Sequence, residues 1–218
     1  MRMTRLLFGF AAMWGSLHAT TVFIGTADTL SGNAFPFGGG GTTYQQVYAA
    51  SDFSGLIDIS GISFFRTSQF SSPTDTIANA TYTIKLSYSA NAVNALDTSV
   101  FSNNVGAGLV TFGTYVLSGV LVGSGITFTQ NNSDFIYNPS NGPLLLEIDL
   151  SSIGTSGSAS LDAMNGDAGG LFSRAHNFGG GFSDFGLVTQ FTSSAVPEPG
   201  TVGFVALGAG LFLLRRRT

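Results

Sequence analysis

Between residues 20 and 195 the chain has a single histidine, His176, in the run Ser173-Arg174-Ala175-His176-Asn177. A Ser–His–Asp arrangement would have to use it as the base. No Gly-x-Ser-x-Gly elbow supplies a matching nucleophile, so His176 reads as an ordinary loop histidine. The chain has no cysteine, which removes disulfides, thiolate metal sites and cysteine nucleophiles. A zinc site would then rest heavily on carboxylates, an unfavourable donor set. Glu147 and Asp149 share a strand face and are the residue type that glycoside hydrolysis pairs. No aromatic, Arg or His cluster accompanies them, and they read as solvated side chains. Asp162-Ala163-Met164-Asn165-Gly166-Asp167, followed by Gly169-Gly170, gathers oxygen side chains of the kind calcium favours. It lacks the alternating ligands and closing Glu of an EF-hand and reads as a turn. The runs Gly38–Gly41 and Gly179–Gly181 do not sit between a strand and a helix, so they read as flexible surface loops rather than phosphate cradles. No catalytic residue, metal site or cofactor is expected.

The elements that would carry these residues are strands. Thr81 to Tyr88 alternates strictly, with Tyr82, Ile84, Leu86 and Tyr88 on one face and Thr81, Thr83, Lys85 and Ser87 on the other. Leu144 to Leu150 alternates in the same way, with Glu147 and Asp149 expected to face water, after the turn signal Asn138-Pro139-Ser140-Asn141-Gly142-Pro143. Leu56–Ile59 and Ile62–Phe64 alternate in opposite phases, which predicts a β-bulge at Gly61. Further strands are expected at 21–26, 44–50, 109–116, 119–122, 126–130, 134–137, 159–163 and 185–192. The fold class is therefore all-β: an antiparallel β-sandwich or jelly-roll-like body.

Of 218 residues only 8 are Lys or Arg and 12 are Asp or Glu, giving 9% charged, 44% hydrophobic and a net charge of −4. Soluble domains average about 25% charged. This composition excludes a charge-rich disordered chain and a nucleic-acid binder, which needs clustered cations. The charge is unevenly spread. Residues 20–195 hold three basic residues (Arg66, Lys85 and Arg174) against eleven acidic ones, a net of −8.

The compensating arginines sit at the two ends. Arg2 and Arg5 precede the apolar run Leu6–Trp14, and Gly15 to Ala19 forms a more polar exit closing on a small residue. That is the layout of a secretory signal peptide over residues 1–19, with cleavage expected after Ala19 and entry into a Sec-type export route. At the other end, residues 196–218 contain Val196-Pro197-Glu198-Pro199, an uncharged run from Gly200 to Leu214, and Arg215-Arg216-Arg217. The prolines should hold the tetrapeptide extended. The run would make a helix of about 22 Å at 1.5 Å per residue, short against a bilayer core of about 30 Å. The arginines place the C-terminus in the cytoplasm as a stop-transfer signal. Within the run, Ala206-x-x-x-Gly210 offers a weak helix-packing motif.

This sequence of motif, short apolar helix and terminal Arg cluster resembles the PEP-CTERM sorting signal of Gram-negative bacteria that make extracellular polysaccharide. The resemblance covers about one tenth of the chain. Thr43-Tyr44-Gln45-Gln46-Val47-Tyr48 and Tyr137-Asn138-Pro139 are also similar to segments of such proteins. The resemblance implies recognition of Val196–Pro199 by an exosortase-like membrane enzyme, transient anchoring through residues 200–214, and delivery to the cell envelope or exterior. The expectation is an exported, non-enzymatic protein of the extracellular matrix. The rival readings are a carbohydrate-binding sandwich that contacts extracellular polysaccharide and, behind it, a secreted hydrolase.

Overall fold

The computed structural model describes residues 20–194, apart from 29, 30, 40, 70, 167 and 179. The expected signal peptide, residues 1–19 with its cut after Ala19, and Val196–Pro199, the 200–214 run and Arg215–Arg217 therefore lie outside the described residues. Fourteen strands are described: β1 (Thr21–Ile24), β2 (Gly32–Asn33), β3 (Thr43–Tyr48), β4 (Ile57–Phe65), β5 (Thr76–Tyr88), β6 (Val110–Val120), β7 (Gly125–Thr129), β8 (Ile136–Tyr137), β9 (Leu144–Ser151), β10 (Leu161–Asn165), β11 (Phe172–His176), β12 (Gly180–Phe182), β13 (Phe185–Leu187) and β14 (Thr189–Ser194). The described helical elements are 3-10 turns at Ala50–Asp52, Phe101–Asn104 and Pro139–Asn141. No helix among the described residues is long and apolar enough to cross a membrane.

All pairings are antiparallel. A six-stranded sheet runs β12-β11-β3-β9-β5-β6, and a five-stranded sheet runs β1-β14-β4-β7 with β8 also on β4. A small sheet, β13-β10-β2, completes the body. Rings from the two large sheets meet between them. Tyr48 of β3 lies edge-on to Phe191 of β14 at 5.0 Å, and Tyr115 of β6 to Phe128 of β7 at 4.9 Å. Phe37 stacks on both Tyr82 and Phe128, at 5.6 and 5.7 Å. Large offset and edge-on aromatic pairs of this kind fill a sheet-on-sheet core and contribute about 0.5–1.5 kcal/mol each beyond their buried area.

The alternation of β5 has its expected consequence from Thr81 to Leu86: Tyr82, Ile84 and Leu86 are fully buried while Thr81, Thr83 and Lys85 are half-buried; at the strand's end the burial reverses, with Ser87 buried and Tyr88 half-buried. The two halves expected around Gly61 are one strand, β4, and its register against β14 slips at Ser60, one residue before the glycine. Likewise β6 is continuous where two strands were expected, and β5 extends five residues upstream to Thr76. Three strands carried too little alternation to be expected: β2, β11 and β12.

Candidate functional site

One residue along each strand, the outer face of the six-stranded sheet brings together Gln45 of β3, Glu147 of β9 and Lys85 of β5, which sit in one cross-strand row. Asp149 and Thr43 occupy the next row. Lys85 Nζ lies 2.9 Å from Glu147 Oε1 and 2.6 Å from Asp149 Oδ2. Gln45 Nε2 donates to Glu147 Oε2, and Thr43 Oγ1 donates to Asp149 Oδ1 at 3.0 Å. All four carboxylate oxygens therefore have a donor. Burial pulls the Lys85 ammonium down, but the hydrogen bonds it donates to Asp149 and Glu147, and their charges, outweigh it and hold its pKa above the ordinary value.

A loop spanning residues 89–109 covers part of this face. Gln45 Nε2 also reaches Phe101 O at 3.1 Å, and Gln45 Oε1 accepts from the fully buried Asn104 Nδ2 at 2.7 Å. Asn104 ties the loop to itself through Asp97 N, Asp97 O and Asn91 Nδ2. Asn94 N–H donates to Ser173 Oγ of β11 at 2.7 Å. Under this cover Glu147 is 8% exposed, so the expectation that it faces water is corrected. The alternation of β9 placed it on the outer face; what sequence reading lacked was the loop lying across that face. A carboxylate pinned by an ammonium and an amide is a clamp between strands rather than a general acid or nucleophile.

The inner face of the same sheet carries a second polar group: Tyr44, Gln46, Arg174 and His176, with Gln46 paired to Arg174 and Tyr44 to His176. Gln46 Nε2 donates to Leu187 O at 2.9 Å and its Oε1 accepts from Leu187 N at 2.8 Å, so its amide continues the backbone ladder of β13. Tyr44 OH donates to the same oxygen. A side chain at Gly186 would put its Cβ 2.7 Å from the Gln46 amide, so glycine is what permits this approach. The Arg174 guanidinium lies 3.6 Å from the centroid of the Phe185 ring. Burial lowers Arg174 to about 10, partly offset by Tyr44, and it stays charged at neutral pH. Burial pushes the Tyr44 hydroxyl up to about 12 against the pull of Arg174.

His176 is not on a loop. It closes β11, is 3% exposed, and stacks on Phe35 at 4.9 Å. Its Nδ1 accepts from Phe178 N–H at 3.2 Å. Burial, then the Arg174 charge, lowers its pKa to about 4, so it is a poor base near neutral pH. The recess beside it, lined by Phe35, Pro36, Gly41, Thr43, Tyr44 and His176, measures about 10 Å³, room for roughly one water. A recess of about 100 Å³ lies among Asn94, Thr98, Ser173, Arg174 and Ser183. Small-molecule sites usually enclose about 300–1,000 Å³.

The Asp162 stretch is also redistributed. Asp162 is buried on β10, and its Oδ2 accepts from Asp28 N–H at 2.5 Å. Asp28, at φ 56°, takes Ser68 N–H and Ser68 Oγ at 2.6 Å each, which hold its carboxyl below the usual range. No group of three or more His, Asp or Glu residues that could hold a metal occurs among the described residues. Of the glycine runs, Gly180 and Gly181 belong to β12 rather than to a loop. Sequence reading also passed over Arg66, which bonds Leu121 O at 3.1 Å and Ser72 O and so fastens the turns around β4 and β6.

The expected processing positions flank a junction that is described. Thr20 and Ser193 exchange backbone and side-chain bonds: Ser193 N donates to Thr20 O at 2.8 Å and Thr20 N to Ser193 Oγ at 3.2 Å. Thr21 pairs with Thr192 in the β1–β14 ladder. The body's first and last strands are thus neighbours. No protein-family model, curated protein or solved structure matches this chain.

Proposed function

We propose that this is an exported, non-enzymatic β-sandwich protein, directed to the cell envelope or extracellular matrix by a PEP-CTERM signal and processed by an exosortase-like membrane enzyme. The observation that carries the reading is the pair of terminal signals, which agree in orientation. A cleavable-type N-terminus precedes the body, and Val196–Pro199, an uncharged run and Arg215–Arg217 follow it. The β1–β14 pairing supports it physically. Cuts after Ala19 and near Pro199 would both fall outside the ladder, so processing would leave every strand of the body in place. The saturated Lys85–Glu147–Asp149 clamp and the stacked, low-pKa His176 support a body that works by binding or packing rather than by proton transfer. Deleting residues 196–218 in the native host tests the reading. The body should then lose its normal processing and final location; unchanged export, processing and location would sink it.

A carbohydrate-binding role has one observation in its favour. Phe178 is exposed and continues a ring ladder through Phe35, 5.2 Å away, to His176, a surface on which a sugar ring can stack. Retention of the exported protein on matrix polysaccharide, lost in Phe178→Ala, would establish it; no retention on any such polysaccharide would remove it.

A further inference from the structure

The outer edge of β6 is treated in two ways along its length. Over its first half the chain covers its own edge. Asn131 and Asn132 donate their N–H groups to Phe112 O at 3.2 Å, and Ser133 N–H donates to Thr111 O at 3.1 Å. The Asn131 side chain then bonds both Thr114 N and Thr114 O at 3.1 Å, imitating a neighbouring strand. Beyond Thr114 no such cover is made by the described residues. Leu121 N–H donates inward to Asp75 O at 2.7 Å, so by strand alternation the odd residues turn their backbone groups to β5. Val116, Ser118 and Val120 turn theirs away from the sheet. Gly119 has φ 87°, yet Gly119 and Val120 stay paired with Ile77 and Thr76, so the strand continues past it.

Among the described residues this stretch has none of the usual protections of a sheet edge, which are charges, proline or a covering element. Val116 is 77% exposed, Val120 51% and Val122 78%. From Thr98 to Ser133 no residue is charged, whereas residues 20–195 as a whole carry −8. Two copies of so acidic a body repel wherever their carboxylates meet, and this edge is a place where they can approach without that cost.

We propose that Val116–Val120 pairs antiparallel with the same stretch of a second copy of this chain, about a two-fold axis at Ser118. In that register Val116 faces Val120 of the second copy, Val120 faces its Val116, and Ser118 faces its own equivalent. Each of these pairs exchanges two backbone hydrogen bonds, and the valine pairs bury β-branched side chains that β6 otherwise leaves in water. The interface is isologous and closes on itself, giving a dimer rather than a fibre.

Because the chain has no cysteine, a single introduced thiol reports self-contact alone. Purified full-length protein in mild detergent carrying Ser118→Cys should oxidise largely to a disulfide dimer. Cα atoms of a hydrogen-bonded antiparallel pair lie about 5.5 Å apart, within the range of about 4.4–6.8 Å that a disulfide spans. Ser54→Cys, exposed elsewhere on the body, should stay monomeric under the same oxidant. Val116→Lys should raise the dimer dissociation constant by about tenfold or more in sedimentation, with the fold intact by circular dichroism. Equal cross-linking at 118 and 54, a wild-type chain that sediments as a monomer at every concentration, or oxidation in cells that links residue 118 to a different protein would each overturn the proposal.

Discussion

On the inner face of the six-stranded sheet, Tyr44, Gln46, Arg174 and His176 stand in two adjacent rows inside the core. On the outer face, one residue along the same strands, Gln45, Glu147, Lys85, Thr43 and Asp149 do the same under and beside the 89–109 loop. Both groups are polar, but only the outer one holds carboxylates, and their electrostatics differ. Inside, desolvation dominates: His176 falls to about 4, Arg174 to about 10, and Tyr44 rises to about 12. There the polar groups persist by bonding backbone or lying on rings. Outside, opposite charges meet, and Lys85 is held above its ordinary pKa by the carboxylates it joins. The charges of these two groups act as structural fasteners, Arg174 inside by lying on the Phe185 ring and Lys85, Glu147 and Asp149 outside through ion pairing.

The most damaging way to break the inner group is Gln46→Leu. The shape is nearly kept, but Leu187 N–H, Leu187 C=O and Tyr44 OH each lose a partner inside the core. Leu187 C=O keeps Thr189 Oγ1 as a donor, so with about 1–3 kcal/mol for each of the other two groups and some relaxation, unfolding in denaturant should show a loss of about 2–4 kcal/mol. Titrating the same group gives a smaller effect. The folded pKa of His176, about 4, is depressed from 6.5, so the unfolded chain binds the extra proton between those values. The stability due to neutral His176 is fully present above about pH 6.5 and is lost as the pH falls toward 4. His176→Phe, which keeps the stack on Phe35, should flatten the fall in melting temperature between pH 7 and pH 4. An equal fall in both proteins would contradict the assignment.

On the outer face, Lys85→Met leaves Glu147 and Asp149 with like charges and no ammonium. Because Lys85 and Asp149 are partly exposed, the expected loss at pH 7 is about 1 kcal/mol. In the wild type the same pair contributes stability that is present below the ordinary lysine value of about 10.5 and is lost as the pH rises past it. The smallest effect is expected at Asp52, which belongs to neither face. Its Oδ2 is buried without a hydrogen-bond partner among the described residues, and burial raises its pKa to about 6 from 3.8. Its charge therefore costs stability as the pH rises from about 4 to 6. Asp52→Asn should stabilise by roughly 0.5–1 kcal/mol at pH 7–8 and have no effect near pH 4.

Period-two patterning made the faces of β5 and the middle of β9 legible from sequence, since Tyr82, Ile84, Leu86 and Ile148 each sit between polar neighbours and all four are buried, whereas buried Leu145 breaks the pattern at the start of β9. It failed at β11 for a physical reason. The inward positions of Phe172–His176 include Arg174 and His176, polar residues placed in the core by bonds and rings that no local pattern announces. The burial of Glu147 was hidden in the same way, because its cover comes from Phe101 and Asn104, some 40 residues away in sequence. Gly186 and Gln46, 140 residues apart, show the same dependence on long-range approach. The proposed sorting motif is legible for the opposite reason. It is read from a short contiguous stretch, Val196–Pro199 with the run behind it, and needs no fold to be seen.

Intact-mass measurement of the protein recovered outside the inner membrane of its native host tests the export and sorting proposal most directly. The account predicts a chain that begins at Thr20, ends close to Pro199, and lacks Arg215–Arg217. Replacing Pro197, Glu198 and Pro199 together by alanine should return the uncut C-terminus to the membrane fraction. A protein that reaches the same location with all residues from 196 to 218 still attached, or one unaffected by the triple replacement, would contradict it.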